Sequence, residues 1–347
     1  MATIIDVAKK AGVSIKTVSR VMNNQANVRE TTRSRVREAM TSLGYSPSDA
    51  ARQMRSGKST AIGMLYSDPG SSYQSRLNRA MMQACSDAGR YLVVGLFDEK
   101  RPDWRAQMEA FLARTKVKDM ILVPPMCDSS ELQECLHDAD VNFVLFSPSH
   151  STSGAAAVTM DDRKAAREMT QYLLDLGHRR IAHISGHPDH IASLLRRQGY
   201  EEAITAFGLP RPGPDILREG RFDFRTALAG AEQLLRAEDR PTAIFSASDD
   251  MAAAVYMAAG KLGLSVPEQV SVAGFDDVAI AQTIWPALTT VAQPLEEMAA
   301  DSVRVLSDKI FSQPDAKMSE WIVAAHKIVA RESCAPPPSA QKIKKAV

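Results

Sequence analysis

From residue 61 onward the sequence alternates short apolar runs with longer amphipathic stretches, and this alternation constrains the fold more than any other feature. The amphipathic stretches have the period of helices, whereas the apolar runs have the length of buried strands. Alternation of this kind is typical of α/β folds in which helices cover doubly wound parallel sheets. Strands are predicted at residues 62–66, 91–96, 120–123, 143–146, 156–160, 181–184, 243–246 and 270–273.

Eight strands across this length favour two similar lobes over one large sheet. The change from one lobe to the other is expected near Asp161, which gives an N-lobe of residues 61–160 and a C-lobe of residues 161–290. The chain is then expected to recross, so that part of 291–322 completes the N-lobe and part of 323–334 completes the C-lobe. Ligands of such sheets lie outside the carboxyl ends of the strands, so a cleft between the lobes is the expected binding site. Residues 335–347 predict a disordered tail.

Charge separates the first sixty residues from the rest. Residues 1–60 hold eleven lysines and arginines against four acids, a net charge of +7, while the whole chain carries +1. The remaining residues therefore carry −6. A small basic segment on an acidic body indicates a polyanionic partner for that segment alone. No run approaches the ~18 apolar residues that a membrane span needs, so no membrane partner is expected.

The basic segment predicts a helix-turn-helix domain over residues 1–46. Thr3 and Asp6 have the spacing of a close relative of the capping box, and an apolar face follows as far as Ala11. Gly12 suits the sharp turn that ends this helix, because glycine tolerates the left-handed conformation. Ser14 can cap a second helix over residues 15–22, and a third is predicted over residues 30–43.

In such a unit the second helix lies in the major groove of DNA. Lys16 and Arg20 suit guanine edges, and Ile15 suits a thymine methyl group. Further side chains suit phosphates, which position a protein without reading the sequence. These are Thr17, Ser19, Asn23 and Arg29. The alternative is a helical hairpin whose basic surface is only solvated.

Residues 3–23 (TIIDVAKKAGVSIKTVSRVMN) and 43–47 (LGYSP) resemble the DNA-binding head of the LacI/GalR family of bacterial repressors. The resemblance extends along the rest of the chain and agrees with two lobes of the periplasmic-binding-protein type. It is carried there by 62–68 (IGMLYSD), 176–182 (LGHRRIA), 196–200 (RRQGY), 248–252 (SDDMA), 272–277 (VAGFDD) and 288–294 (LTTVAQP).

The resemblance implies a hinge helix within the linker of residues 47–60. In the family two hinge helices pair in the dimer, and each inserts an apolar side chain into the minor groove. Met54 stands where the family usually has leucine, and Ala51 lies on the same predicted helix. The alternative for Met54 is packing against the partner hinge alone.

The resemblance also implies the effector ligands of the cleft. Asp249 follows the predicted strand at residues 243–246, although an acid there can also cap the next helix. Arg196 matches a family pattern in which the guanidinium reaches into the cleft, and an aspartate with an arginine suits vicinal sugar hydroxyls. The other expected ligands are Tyr73, Phe222, His190 and Gln293. The alternative for Tyr73 and Phe222 is packing in the hydrophobic core.

The sequence gives no sign of a metal, a cofactor or catalysis. His183, His187 and His190 are close in sequence, but a strand and its loop need not bring them together. No motif supplies a nucleophile with its base, so we expect no enzyme. Ser147 stands where relatives often have an aspartate after the fourth strand, which removes one acceptor for ligand hydroxyls.

These features predict an effector-responsive transcriptional repressor of sugar-utilisation genes in the bacterial cytoplasm, at the nucleoid. Its expected partners are double-stranded operator DNA of near-palindromic sequence and a small effector, a mono- or oligosaccharide. A homodimer is expected, and a tetramer is possible. The alternative is a cytosolic sugar-binding or sugar-processing protein on the same two-lobed fold.

Overall fold

The computed structural model describes residues 2–22, 27–45, 60–66, 70–98, 100–150, 155–307 and 321–338. They fall into two units, a head within residues 1–60 and a body from residue 61 onward. The predicted hinge helix, with Ala51 and Met54, and the predicted phosphate contact Asn23 lie outside the described residues. No helix in these ranges has the length and apolar character needed to cross a bilayer.

The head consists of three helices, α1 (Ile4–Ala11), α2 (Ile15–Met22) and α3 (Glu30–Ser42). The predicted helix-turn-helix is therefore confirmed. The Thr3 N–H donates to Asp6 Oδ2 over 2.8 Å, and the Asp6 N–H donates to Thr3 Oγ1 over 3.3 Å, which completes the capping box. Gly12 ends α1 with a φ of 63°, as its place in the turn predicts. Val7, Val18 and Val36 form the buried centre of the three helices.

The N-lobe is built on a parallel six-stranded sheet in the order β11-β5-β4-β3-β1-β2. Its helices alternate with the strands along the chain, as the sequence predicts. The elements are β1 (Ala61–Tyr66), α4 (Ser72–Asp87), β2 (Tyr91–Leu96), α5 (Trp104–Thr115), β3 (Asp119–Leu122), α6 (Ser130–Asp138), β4 (Asn142–Phe146), β5 (Ala156–Met160), α12 (Leu295–Ser307) and β11 (Trp321–Ala324).

The C-lobe has a second six-stranded sheet in the order β12-β10-β9-β8-β6-β7, in which only β12 is antiparallel to its neighbour. The two sheets confirm the predicted α/β class with two doubly wound lobes. The elements are α7 (Asp162–Asp175), β6 (Ile181–Ser185), α8 (Ile191–Ala206), β7 (Leu217–Glu219), α9 (Phe224–Arg236), β8 (Ala243–Ser246), α10 (Asp249–Lys261), β9 (Ser271–Asp276), α11 (Ile280–Thr283), β10 (Thr289–Ala292) and β12 (Lys327–Val329).

The chain passes between the sheets three times. It leaves the N-lobe after β5, returns through α12 after β10, and crosses back between β11 and β12. The helix α12 packs against α4, β4 and β5, so a segment far along the chain completes the core of the N-lobe.

Residues after β12 lie against the C-lobe sheet. Ser333 is fully buried, accepts from the Thr289 N–H over 2.8 Å and donates to the Val272 carbonyl over 2.6 Å. The Ala335 carbonyl accepts from His178 Nε2 over 2.9 Å. The expected disorder of the tail is therefore wrong at Ala335, because its carbonyl and N–H are bonded to the C-lobe. Residues 339–347 lie outside the described residues.

We expect Ser333→Ala to lower the free energy of unfolding of the body by about 1–3 kcal/mol, because it leaves the buried Thr289 N–H without an acceptor. Thermal or urea unfolding of the full-length protein measures the loss. Ser75→Ala, at an exposed serine of α4, is the matched control and should unfold like the wild type. Equal stability of the two variants would show that the segment after β12 does not hold the sheet.

Candidate functional site

The exposed face of α2 carries the predicted base contacts. Ile15, Lys16 and Arg20 are exposed there, opposite the buried Val18 and Val21. Lys16 and Arg20 lie one turn apart and therefore share a face. Arg29 is exposed just before α3, whereas Thr17 and Ser19 are half-buried. The head thus presents a basic helix face of the kind that enters a major groove.

A cavity of about 340 Å³ lies between the two lobes of the body. Its wall comes from the carboxyl ends of strands in both sheets, as expected for parallel sheets that face each other. The lining residues are Tyr66, Ser71, Tyr73, Gln74, Val123, Pro124 and Ser147 from the N-lobe, and Asp162, His187, His190, Ala192, Arg196, Arg221, Phe222, Ser248, Asp250, Asp276 and Gln293 from beyond β5.

The buried end of the cavity is organised by the guanidinium of Arg196, a residue that is only 5% exposed. Its Nε donates to Asp162 Oδ1 over 2.7 Å, and one Nη donates to the Ala247 carbonyl over 2.6 Å. The same Nη lies 3.5 Å from Asp276 Oδ1, and the guanidinium lies 3.6 Å from the centre of the Phe275 ring. Burial opposes its charge, but the two carboxylates outweigh burial and raise its pKa above the ordinary value.

Asp276 is a buried carboxylate, and few neighbouring groups stabilise its ionised form. It accepts from Gln293 Nε2 over 2.6 Å through Oδ1, the oxygen that faces Arg196. Burial raises its pKa to about 7, with Asp250 and Asp162 adding to the rise and Arg196 opposing it. An acid poised near neutral pH in a cleft is a candidate for ligand recognition.

Several polar groups of the wall have no hydrogen-bond partner in the described part of the chain. The Tyr73 hydroxyl and the side-chain amide of Gln74 are two of them, and Gln74 is only 9% exposed. The second Nη of Arg196 and Oδ2 of Asp276 also have none. These groups are open to the cavity, so a ligand with several donors and acceptors suits this wall.

The backbone of the wall is strained. Ser147, Arg221, Phe222 and Asp276 have φ values of 51°, 57°, 56° and 117°, in the left-handed region that favours glycine. Such strain costs energy and clusters at functional sites, where it directs side chains. The ring of Phe222 lies flat on Gly186, where a Cβ atom would come within 2.0 Å of it.

The exposed end of the cavity holds an arginine and two histidines. Arg221 donates through one Nη to Glu219 over 2.7 Å, and its other Nη lies 2.6 Å from His187 Nε2. The His187 and His190 rings are 5.7 Å apart, and His190 lies 5.6 Å from Phe222. Burial and the neighbouring His187 lower the pKa of His190.

Contacts between the lobes surround the cavity. Asp250 accepts from the N–H of Ser72 over 3.2 Å and from its hydroxyl over 2.7 Å, so a C-lobe carboxylate binds the first turn of α4. Arg76 of α4 donates to the Asp276 carbonyl over 2.6 Å. Lys100 and Asp189 form an ion pair of 2.8 Å at the surface. The cleft is therefore closed.

The wall contains five of the six side chains that the sequence predicts as effector ligands: Tyr73, His190, Arg196, Phe222 and Gln293. Asp249 is the exception: it was expected to bind the effector, but it does not line the cavity. It is fully buried behind the wall, where it accepts from the Val278 N–H over 2.9 Å and from Thr290 Oγ1 over 2.6 Å. Ser248 caps α10, which turns Asp249 toward the sheet and Asp250 toward the cleft. Burial and Asp276 raise the pKa of Asp249 well above its ordinary value.

Sequence reasoning missed several polar residues of the wall, among them Gln74, Asp162, Arg221, Asp250 and Asp276. Asp162 and Asp276 lie at strand ends, so the rule about carboxyl ends was a signal for both. Ser147 lines the wall, so the position where relatives often have an aspartate does face the cavity.

His183 lies apart from the other two histidines, stacked on Tyr200 within the core. Among the described residues no group of three metal-ligating side chains comes together.

Comparison with known proteins places the chain in a family. Residues 3–48 match "Bacterial regulatory proteins, lacI family", and residues 170–334 match "Periplasmic binding protein-like domain". The chain is 31% identical over 332 residues to catabolite control protein A of Priestia megaterium, covering 95% of this chain and 98% of that protein.

Solved structures show the same architecture over nearly the whole chain. The lac repressor dimer bound to operator and the anti-inducer ONPF is similar with a TM-score of 0.78 and 26% identity, covering 96% of this chain and 99% of that one. The complex of the transcriptional regulator CelR with cellobiose has a TM-score of 0.71 and 29% identity, covering 96% and 100%. The resemblance seen in the sequence is confirmed. This chain belongs to the lacI family of bacterial regulatory proteins and is a transcriptional regulator rather than an enzyme.

Proposed function

We propose that this protein is a repressor that binds a near-palindromic operator as a homodimer and responds to a sugar in the cleft of its body. The observation that carries the proposal is a closed polar cavity in a chain whose head presents a basic recognition helix. Lys16 and Arg20 read base edges and Ile15 contacts a thymine methyl group, while Arg29 binds phosphate. Operator DNA lies in the bacterial cytoplasm, which is therefore the proposed location.

A sugar suits the wall because sugar hydroxyls both donate and accept. Asp276 accepts hydroxyl hydrogens, while the free Nη of Arg196 and the amide of Gln74 donate. The Tyr73 hydroxyl can do either, and the Phe222 ring offers an apolar surface to the carbon face of a pyranose or furanose. CelR was solved with cellobiose, which supports a carbohydrate for this family member as well.

The response of the operator complex depends on the contacts between the lobes. Asp250 lines the cavity and also binds Ser72 of the opposite lobe, so a ligand at this wall changes the stability of the closed cleft. Operator affinity changes with the position of the lobes. Such a coupling is reciprocal, so DNA changes sugar affinity by the same factor.

The homodimer is proposed to form through the edge strand β2. Tyr91, Val94 and Leu96 expose apolar side chains on this strand, and Met82 is exposed on α4. Leu96 is 71% exposed, and among the described residues β2 is the last strand on its side of the sheet. Proteins cover unpaired sheet edges that carry exposed apolar side chains. In the proposed dimer a second copy of the chain covers the edge formed by β2.

We expect Lys16→Ala to cost about 1–3 kcal/mol in operator binding and to relax the preference at one base pair, whereas Arg29→Ala should weaken all sequences alike. Fluorescence anisotropy on a selected operator and its single-base-pair variants measures both. Thr41→Ala changes an exposed residue of α3 and should bind like the wild type. A uniform loss for Lys16→Ala would reassign Lys16 to the DNA backbone. Absence of operator binding by the wild type would contradict the proposed role of α2.

Effector binding should depend on pH through Asp276. The ionised carboxylate accepts sugar hydroxyls and the protonated one does not accept as well, so affinity rises as the pH passes upward through the pKa of about 7. Between pH 6 and pH 8 the ionised fraction grows about tenfold, and sugar affinity should grow with it. Calorimetry with a panel of mono- and disaccharides measures this dependence.

Asp276→Asn should bind sugar weakly and without that pH dependence, while it still binds operator. Asp175→Asn, at an exposed acid of α7, is the control and should keep the wild-type pH profile. A wild-type response of Asp276→Asn to sugar would remove Asp276 from the site.

We expect Leu96→Glu to be monomeric in sedimentation experiments at concentrations where the wild type is dimeric, because the interface would bury an unpaired charge. Val323→Glu makes the same change at the other edge strand of the sheet, β11, and should remain dimeric. Dissociation by Val323→Glu alone would move the interface to β11.

A further inference from the structure

The exposed end of the cavity brings hydrogen-bond donors together without an acceptor. His187 Nδ1 accepts from the backbone N–H of Asp189 over 3.1 Å. A neutral imidazole has one nitrogen lone pair that can accept, so His187 can accept from only one of its two neighbouring donors, and its own N–H faces the other. Its Nε2 lies 2.6 Å from a guanidinium nitrogen of Arg221, which can only donate. Two donors therefore face each other.

The first turn of α8 adds donors at the same place. His190 is the N-cap of this 16-residue helix and makes no side-chain cap. The N–H groups of Ile191 and Ala192 have no acceptor in the described part of the chain, and Ala192 lines the cavity. An uncapped helix start attracts negative charge. Arg196, one turn further along α8, also lines the cavity.

The acids near this end are already paired. Glu219 binds the other Nη of Arg221, and Asp189 forms its ion pair with Lys100 across the cleft. The unpaired carboxylate oxygen of Asp276 belongs to the buried end, where the side chains are almost fully covered. The cavity thus has a buried end with a carboxylate acceptor and an exposed end where the guanidinium of Arg221 and the backbone N–H groups of α8 are donors.

We propose that the effector carries an anionic group, a phosphate ester or a carboxylate, that binds between Arg221, His187 and the first turn of α8. Its hydroxyl-bearing part occupies the buried end. The anion accepts from Arg221 and from His187 Nε2, which relieves the contact between the two donors. The inference rests on the proposed function and narrows its ligand from sugars in general to sugar phosphates or sugar acids.

Calorimetry on the full-length protein at low salt tests this with matched ligands. The neutral probes are glucose, galactose and ribose, and the anionic probes are glucose 6-phosphate, galactose 6-phosphate, ribose 5-phosphate, glucuronate and galacturonate. For the sugar that binds, we expect one anionic form to bind at least about tenfold more tightly than the neutral form, as charge-assisted bonds imply. The phosphate and acid forms distinguish the two kinds of anion.

Arg221→Gln should bring the ratio of neutral to anionic dissociation constants to about one, because the main cation of the exposed end is lost. Arg225→Gln, at an exposed arginine of α9 outside the wall, should keep the wild-type ratio. Arg221 is itself exposed, so thermal unfolding should show both variants folded.

Equal or tighter binding of the neutral sugar overturns the inference and leaves the proposed function intact. A preference for the anionic form that survives in Arg221→Gln also overturns it. If no probe binds and none changes operator affinity, the proposed function itself is contradicted, and the inference falls with it.

Discussion

The buried guanidinium of Arg196 is the interaction on which the cleft depends. A charge that is almost fully removed from water must be paired, and loss of one partner from such a pair is strongly destabilising. Asp162, at the crossing from the N-lobe, and Asp276, at the end of β9, therefore have to stay within reach of it. Phe275 supplies the face on which the guanidinium stacks. One side chain thus fixes the ends of two strands and the start of a helix around the same space.

Much of the fold could be predicted from sequence because its patterns are local. The three helices of the head follow from a cap, a turn glycine and apolar spacing, and the observed bounds differ by no more than one residue. The predicted strands appear within one residue of their expected starts. β7 was missed, because Leu217–Glu219 has only three residues, two of them charged. β9 was predicted to end at residue 273 but continues to Asp276, which moves an acid to the sheet edge.

The site was harder to predict than the fold because it depends on rotation about helix axes. Asp249 and Asp250 are neighbours in sequence, and the family pattern favoured Asp249 for the cleft, whereas the structure has Asp250 in the wall. Ser248 caps α10, and this sets the phase of the helix, so that Asp249 faces Gly274 and Asp250 faces Ser72. Gly274 leaves room for the Asp249 carboxylate, which a Cβ atom would approach within 2.3 Å. Contacts of this kind join residues distant in the chain and leave no periodic signal.

The repeated passage of the chain between the sheets has a consequence for synthesis on the ribosome. The N-lobe lacks α12 and its edge strand β11 until residue 324 has been made, by which time almost all of the C-lobe is already present. Domains generally fold as units during translation, from the N-terminus onward. The head can therefore fold early, whereas the sheet of the N-lobe remains incomplete until β11 has been synthesised. The nascent body is thus exposed to aggregation until the last crossing emerges, and the two lobes reach their final form together.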